Sequence, residues 1–144
     1  MTSPPPPNAK PIDVLLVEDD PGDTLMIREA FEDNKVRNRL TCVTDGVQAL
    51  EYLRREGDHA GAPRPDLILL DLNLPDIPGD VVLRQVRQDP DLRDIPVVMI
   101  SGDAIPSQVQ RVLDLGASAY ITKPFDIQEL LRLVDAKLGE NARA

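Results

Sequence analysis

Positive charge is in short supply in this 144-residue chain. Lys and Arg number 16 against 25 Asp and Glu, giving a formal net charge of −9 and a pI near 4.5. Direct nucleic-acid binding needs a basic footprint, and this balance argues against one. An acidic surface also disfavours docking on an anionic membrane. Cysteine is scarcer still. The single Cys42 cannot close an internal disulfide, which points to a reducing cytoplasm. Long apolar runs are missing: none approaches the roughly 18 residues of a membrane span. The opening MTSPPPPNAKP lacks the apolar stretch of a secretion signal. There is one histidine, His59, in a polar loop with Gly and Pro neighbours, where it reads as a solvated side chain.

What is present is globular: 42% hydrophobic and 28% charged residues, in a length that suits one domain with a core of its own. Residues 1–11 are Pro-rich without apolar period and read as a flexible tail. The domain is expected over 12–138, with a short C-terminal tail over 139–144. Inside it, apolar strands and amphipathic helices alternate. Ile12–Val17, Leu40–Thr44, Leu67–Leu70, Ile95–Ile100 and Ala119–Thr122 read as strands. Helices are predicted over 23–34, with Leu25, Ile27, Ala30 and Phe31 inward, and over the stretch carrying Val47, Leu50 and Leu53, capped by Asp45. A third carries Val82, Leu83 and Val86 and closes at Asp89-Pro90. A fourth spans 106–115 with Val109, Val112 and Leu113 on one face. The last has Ile127, Leu130, Leu131, Val134 and Leu138 in its stripe, with Asp126 and Glu129 as a capping pair. Residues 55–65 form a polar loop. Five βα units with near-continuous apolar strands imply an α/β fold: a five-stranded parallel sheet with helices on both faces.

In such sheets ligands collect at the carboxyl ends of the strands, and the unusual polar residues fall there. LILLDLNLP carries four apolar residues straight into Asp71. The first strand ends in Glu18, Asp19 and Asp20, the fourth in Ser101-Gly102, the fifth in Lys123-Pro124. Taken alone, VEDDP is a helix cap with acids near a helix dipole. Gathered at one edge with Asp71, those acids would repel, and a divalent cation removes the conflict. Hard oxygen ligands with room for water suit Mg²⁺. Lys123 would supply a compact ammonium for a carboxylate and then a phosphate. Whether the Lys123-Pro124 bond is cis stays open at this stage. Cys42, within a strand, reads as packed rather than reactive.

With these residues in order, residues 12–138 resemble the receiver domains of response regulators in two-component signalling, a (βα)5 flavodoxin-like fold. The resemblance rests on Glu18-Asp19, Asp71, Ser101 and Lys123-Pro124-Phe125. It implies that Asp71 accepts a phosphoryl group from a histidine kinase. It implies that Asp19, Asp71 and the backbone carbonyl of Asn73 hold Mg²⁺, with Glu18 acting mainly through water. Ser101 and Lys123 would contact the phosphoryl oxygens, Ser101 and Tyr120 would form the switch, and Asn73 and Asp76 would face the hydrolytic water. Glu18, Asp19 and Asp71 against Mg²⁺ and Lys123 leave a nearly neutral resting site. The chain would act as a phosphoacceptor signalling protein, not as an enzyme on other substrates.

VEDDPGDTLMIREAF, the loop before the third strand and LILLDLNLP further resemble stand-alone regulators that serve phytochrome-type light-sensing kinases. That implies such a kinase as partner, and a homodimer through the fourth helix, fifth strand and fifth helix; Leu115 and Leu133, beside the core stripes, read either as the margin of a wide core face or as contacts in that patch. The chain stops after the fifth helix, so output by protein contact is expected. Two rival readings remain. A phosphatase built on an Asp71 nucleophile wants a second acid two positions on, where Asn73 stands. A phosphorylation-independent scaffold has no need of both Asp71 and Lys123, yet both are kept.

Overall fold

The computed structural model describes residues 12–33, 38–102, 105–124 and 126–143, with side chains of the last helix through Lys137. The Pro-rich residues 1–11, Phe125 and the Leu138 side chain lie outside the described set.

Elements alternate along the chain: β1 (Ile12–Val17), α1 (Pro21–Glu32), β2 (Asn38–Val43), α2 (Gly46–Arg54), a 3₁₀ turn (Gly57–His59), β3 (Leu67–Asp71), α3 (Gly79–Gln88), β4 (Val97–Ser101), α4 (Pro106–Asp114), β5 (Ala119–Thr122) and α5 (Ile127–Arg143). The strands form one parallel sheet in the order β2-β1-β3-β4-β5. The chain thus reverses its winding direction between β1 and β3. This is the point at which the carboxyl ends of two strands leave a crevice between diverging loops.

Strand periodicity divides the core in two. Leu15, Val17, Ile68, Leu70, Val97 and Met99 pack on one face with side chains of α2, α3 and α4. Val14, Leu16, Leu67, Leu69, Val98 and Ile100 pack on the other with α1 and α5. All five residues of β3 and of β4 are buried. Burial on both faces is what the continuous apolar runs require.

Several boundaries and faces differ from the sequence expectation, each for a local reason. Helix α1 starts two residues early: Pro21 occupies its first turn, where no N–H is missed, and Asp20 Oδ1 accepts from Gly22 N at 2.8 Å. Strand β2 begins at Asn38 and ends before Thr44. Strand β4 starts at Val97, because Ile95 N donates to Leu92 O in a turn and Pro96 has no N–H. A 3₁₀ turn interrupts the polar loop, and His59 there is half-buried, edge-on to Tyr52 with ring centroids 5.3 Å apart, so only part of it meets solvent. Leu25, Val47 and Leu113 stand exposed although helical spacing placed them inward. Leu115 and Leu133 pack half-buried against the two core clusters, as the margin of a wide core face rather than a free contact patch. Asp45 does cap α2, accepting from Gln48 N at 2.7 Å. Asp126 does the same for α5, accepting from Gln128 N at 2.8 Å. Cys42 is half-buried on the second cluster, and burial pushes its thiol pKa up, in keeping with a packing role.

Candidate functional site: a carboxylate pocket bridged by one lysine

The two-residue repeat that sorts the core also builds the site. Glu18 continues the parity of Val14 and Leu16, Asp71 that of Leu67 and Leu69, and Lys123 that of Ala119 and Ile121. All three side chains therefore leave the sheet edge on the α1/α5 side. There they meet the first turn of α1, which presents Asp23.

Lys123 Nζ lies 2.8 Å from Glu18 Oε2, 2.8 Å from Asp71 Oδ2 and 3.0 Å from Asp23 Oδ2. The Glu18 side chain is fully buried and that of Asp71 nearly so, while 19% of the lysine side chain is exposed. Asp71 Oδ1 accepts from Asn73 N at 2.8 Å, so both carboxylate oxygens are fixed. Glu18 Oε1 accepts from Asp20 N at 3.0 Å. Burial is the largest influence on Glu18 and pushes its carboxyl pKa up to about 7. The Lys123 ammonium pulls it down and Asp71 adds a further push upward. For Lys123, burial favours the neutral amine, but hydrogen bonds to Asp71, Glu18 and Asp23 outweigh it and hold the ammonium firmly charged.

Carboxylate oxygens of Glu18, Asp19 and Asp71 come within 4.8 Å of one another. Asp19 is exposed at the mouth of the pocket. An all-oxygen set with one open side fits a hard divalent cation that keeps part of its water shell. The excess of negative charge asks for one. Four carboxylates face a single ammonium, because Asp23 adds a charge that the nearly neutral count from sequence left out. Its signal lay in the PGD step: with Pro21 opening the helix, Asp23 falls in the first turn, beside Asp19 and Glu18.

The rest of the edge is arranged around Asp71. Ser101, on the opposite parity, is fully buried, with Oγ 3.5 Å from Asn73 Nδ2. Thr122 pairs with Ser101, and Tyr120 pairs with Met99. Tyr120 is half-buried against the α2–α4 cluster, one pleat below the serine. Gly79 lies so close to the turn that a Cβ there would overlap the Asp71 carbonyl oxygen. Its N–H donates to Leu72 O at 2.8 Å. The Lys123-Pro124 bond is cis. Asp20, whose role the sequence left open, is the α1 cap. Asp76 does not face the pocket as expected. Its two oxygens accept from Gly46 N at 2.8 Å and Val47 N at 2.9 Å, tying the loop after β3 to the start of α2. Burial there favours the protonated form, but the N–H groups of Gly46, Val47 and Ile77 together outweigh it and lower the Asp76 pKa.

A doubly wound parallel sheet whose switch point holds an aspartate at the end of β3, flanked by acids and a lysine, defines a class of phosphate-handling signalling modules. Comparison with known proteins makes that specific: the chain belongs to the response regulator receiver domain family, whose model matches residues 14–135. Response regulator Rcp1 of Synechocystis sp. is 36% identical over 121 residues, 84% of this chain and 82% of that protein. The Mn²⁺-bound structure of Rcp1 aligns with TM-score 0.79 at 35% identity, covering 88% of this chain and 91% of that one. The phosphorylated cyanobacterial phytochrome response regulator RcpA aligns with TM-score 0.79 at 40% identity and the same coverage of 88% and 91%.

Proposed function

We propose that this chain is a phosphoacceptor switch that takes a phosphoryl group from a histidine kinase onto Asp71. The observation that carries this reading is the bridge from Lys123 to Asp71 and Glu18 inside an otherwise anionic pocket. It fixes the nucleophile and offers a cation where phosphoryl oxygens would arrive. A carboxylate oxygen of Asp71 attacks phosphorus in line, the phosphorus–nitrogen bond of the donor breaks, and the imidazole leaves with that electron pair. Such transfer depends on positioning and on offsetting spread charge. Asn73 N holds Asp71 in place. Lys123 pairs with the incoming oxygens, and Ser101 donates its hydroxyl to one of them. Asp19, Asp71, the Asn73 carbonyl and Glu18 through water are the groups that would hold Mg²⁺. Bound there, the ion offsets charge on the transferring phosphoryl group. Manganese in Rcp1 supports a divalent site of this kind.

Phosphorylation replaces the single charge of Asp71 by nearly two. Ser101 then moves toward the new oxygens, and Tyr120, packed one pleat away, follows it: a local charge event biasing a two-state element. The protein catalyses only its own phosphorylation and dephosphorylation. Its similarity to Rcp1 and RcpA supports a phytochrome-type kinase as partner. The α4–β5–α5 face supports a homodimer. Among the described residues its large exposed apolar side chains are Ile105, just before α4, and Leu113 of α4, not the packed Leu115 and Leu133. No helix among the described residues is long and apolar enough to cross a membrane, and with one cysteine and an acidic surface we place the chain in the cytoplasm.

The test is incubation with acetyl phosphate and Mg²⁺, followed by intact-mass measurement. Wild type should gain one phosphoryl group, and neither Asp71→Asn nor wild type in chelator should. An unlabelled wild type under conditions that label known receivers would remove the proposal.

A further inference from the structure

At the sheet edge opposite Asp71 the chain concentrates the charge it is short of elsewhere. Two adjoining cavities of about 430 and 570 Å³ lie at the C-terminal ends of α2 and α3 and share Arg54 and Asp89 in their walls. Arg55 and Arg64 line the first, Arg84 the second. Buried Leu53 and Leu92 make part of the first cavity apolar.

Helix C-termini attract cations through their dipoles, which on its own would place Arg54 and Arg55 here. It does not place the others. Arg64 comes from the loop before β3 and donates Nε to Asp91 O at 3.0 Å, leaving its two terminal nitrogens unengaged among the described residues. Arg55 caps α2 at φ 56°, the left-handed conformation that glycine adopts without cost. Its guanidinium makes no hydrogen bond or ion pair to any described residue, so its charge is open to a ligand. The Arg84 guanidinium is likewise without a partner among the described residues.

The walls also define the occupant. Guanidinium forks match carboxylates in bidentate geometry. A continuous polyanion would meet Asp89 and Asp91 in the groove and a net charge of −9 beyond it, so nucleic acid fits poorly. Two cavities joined at Arg54 accommodate an extended segment better than one small anion. We propose that this α2–α3 groove docks an acidic peptide segment of a partner protein, one with apolar residues between its carboxylates. The proposal is independent of chemistry at Asp71.

The test is an NMR titration of the ¹⁵N-labelled full chain with a synthetic peptide alternating Glu and Leu. A Lys-for-Glu peptide, a single-stranded DNA oligonucleotide and inorganic phosphate serve as the other arms. The Glu peptide should give saturable shifts confined to residues 53–64 and 81–92, weakening as salt is raised. Arg55→Glu combined with Arg84→Glu should weaken it about tenfold or more, equal to about 1.4 kcal/mol. Arg55→Gly keeps the test valid if charge reversal harms folding: it should leave the melting temperature unchanged or higher, yet weaken binding. No saturation by about 1 mM peptide, tighter binding of DNA, full competition by free phosphate, or unaltered binding in the variants would overturn the proposal.

Discussion

Replacing Lys123 by Met removes one charge and keeps most of the aliphatic stem. The consequence follows from the burial of what remains. Glu18 and Asp71 have side chains 0% and 4% exposed, so each would face the other, and Asp23 beyond, without a counter-charge. Removing one partner of a buried ion pair costs about 3–5 kcal/mol when the other must stay charged. Here there is an escape. The Glu18 pKa already stands near 7 with the lysine present, and loss of the ammonium moves it higher. At about pH 5 the variant would hold a proton on Glu18 and lose only about 1 kcal/mol. Above the wild-type Glu18 pKa, keeping that proton costs about 1.4 kcal/mol per pH unit, so at about pH 8, one unit higher, the loss should reach about 2.4 kcal/mol. Urea unfolding followed by circular dichroism in chelator, at both pH values, measures this. At the lower pH, where Glu18 is protonated in both proteins, Mg²⁺ should recover more stability in the variant than in wild type, because the pocket it enters has lost its one ammonium. A loss below about 0.5 kcal/mol at the higher pH, the size of an exposed pair, would refute the reasoning. So would an equal loss at both.

Wild type in chelator should itself lose stability as pH rises from about 4.5 to 7. Glu18 binds its proton more tightly in the folded chain, so that contribution is present in acid and is lost through the folded pKa, by up to about 3 kcal/mol. Glu18→Gln should flatten the curve, and an equally steep curve in that variant would assign the dependence elsewhere. Gly79→Ala should push the Asp71–Leu72 turn away and slow labelling by acetyl phosphate while costing about 1–3 kcal/mol of stability. Labelling at the wild-type rate would show that the turn has slack. Asp76→Ala removes two hydrogen bonds from the start of α2 and should cost about 1–2 kcal/mol in urea unfolding. An unchanged midpoint would mean that Asp45 suffices as the cap.

The sheet and most of the pocket were legible in the sequence because both are written in short-range pattern. Four apolar residues ending on Asp71 specify a buried strand and deliver a carboxylate to its edge in one stroke. The same reading placed Glu18, Ser101 and Lys123. Their convergence needed only the topology of a parallel sheet, which brings every strand end to one side. Asp23 was missed because it reaches the pocket from a helix, and its direction depends on where that helix starts. Asp76 was misplaced because a loop carboxylate goes to the nearest unsatisfied N–H groups, and those belong to α2, some thirty residues earlier in the chain. Exposure of Leu25, Val47 and Leu113 was equally hidden. Spacing puts such residues near the inner stripe, but whether the neighbouring layer reaches far enough to cover them is a property of the packed helices.

The most direct test of the account is to locate the phosphoryl group itself. After treatment with acetyl phosphate and Mg²⁺, borohydride reduction converts an aspartyl phosphate to homoserine, and peptide sequencing by mass spectrometry reads where. The account predicts homoserine at position 71 alone, dependent on Mg²⁺ and lost with Lys123→Met. Homoserine at Asp19, Asp23 or any other carboxylate, or undiminished conversion in chelator, would contradict it.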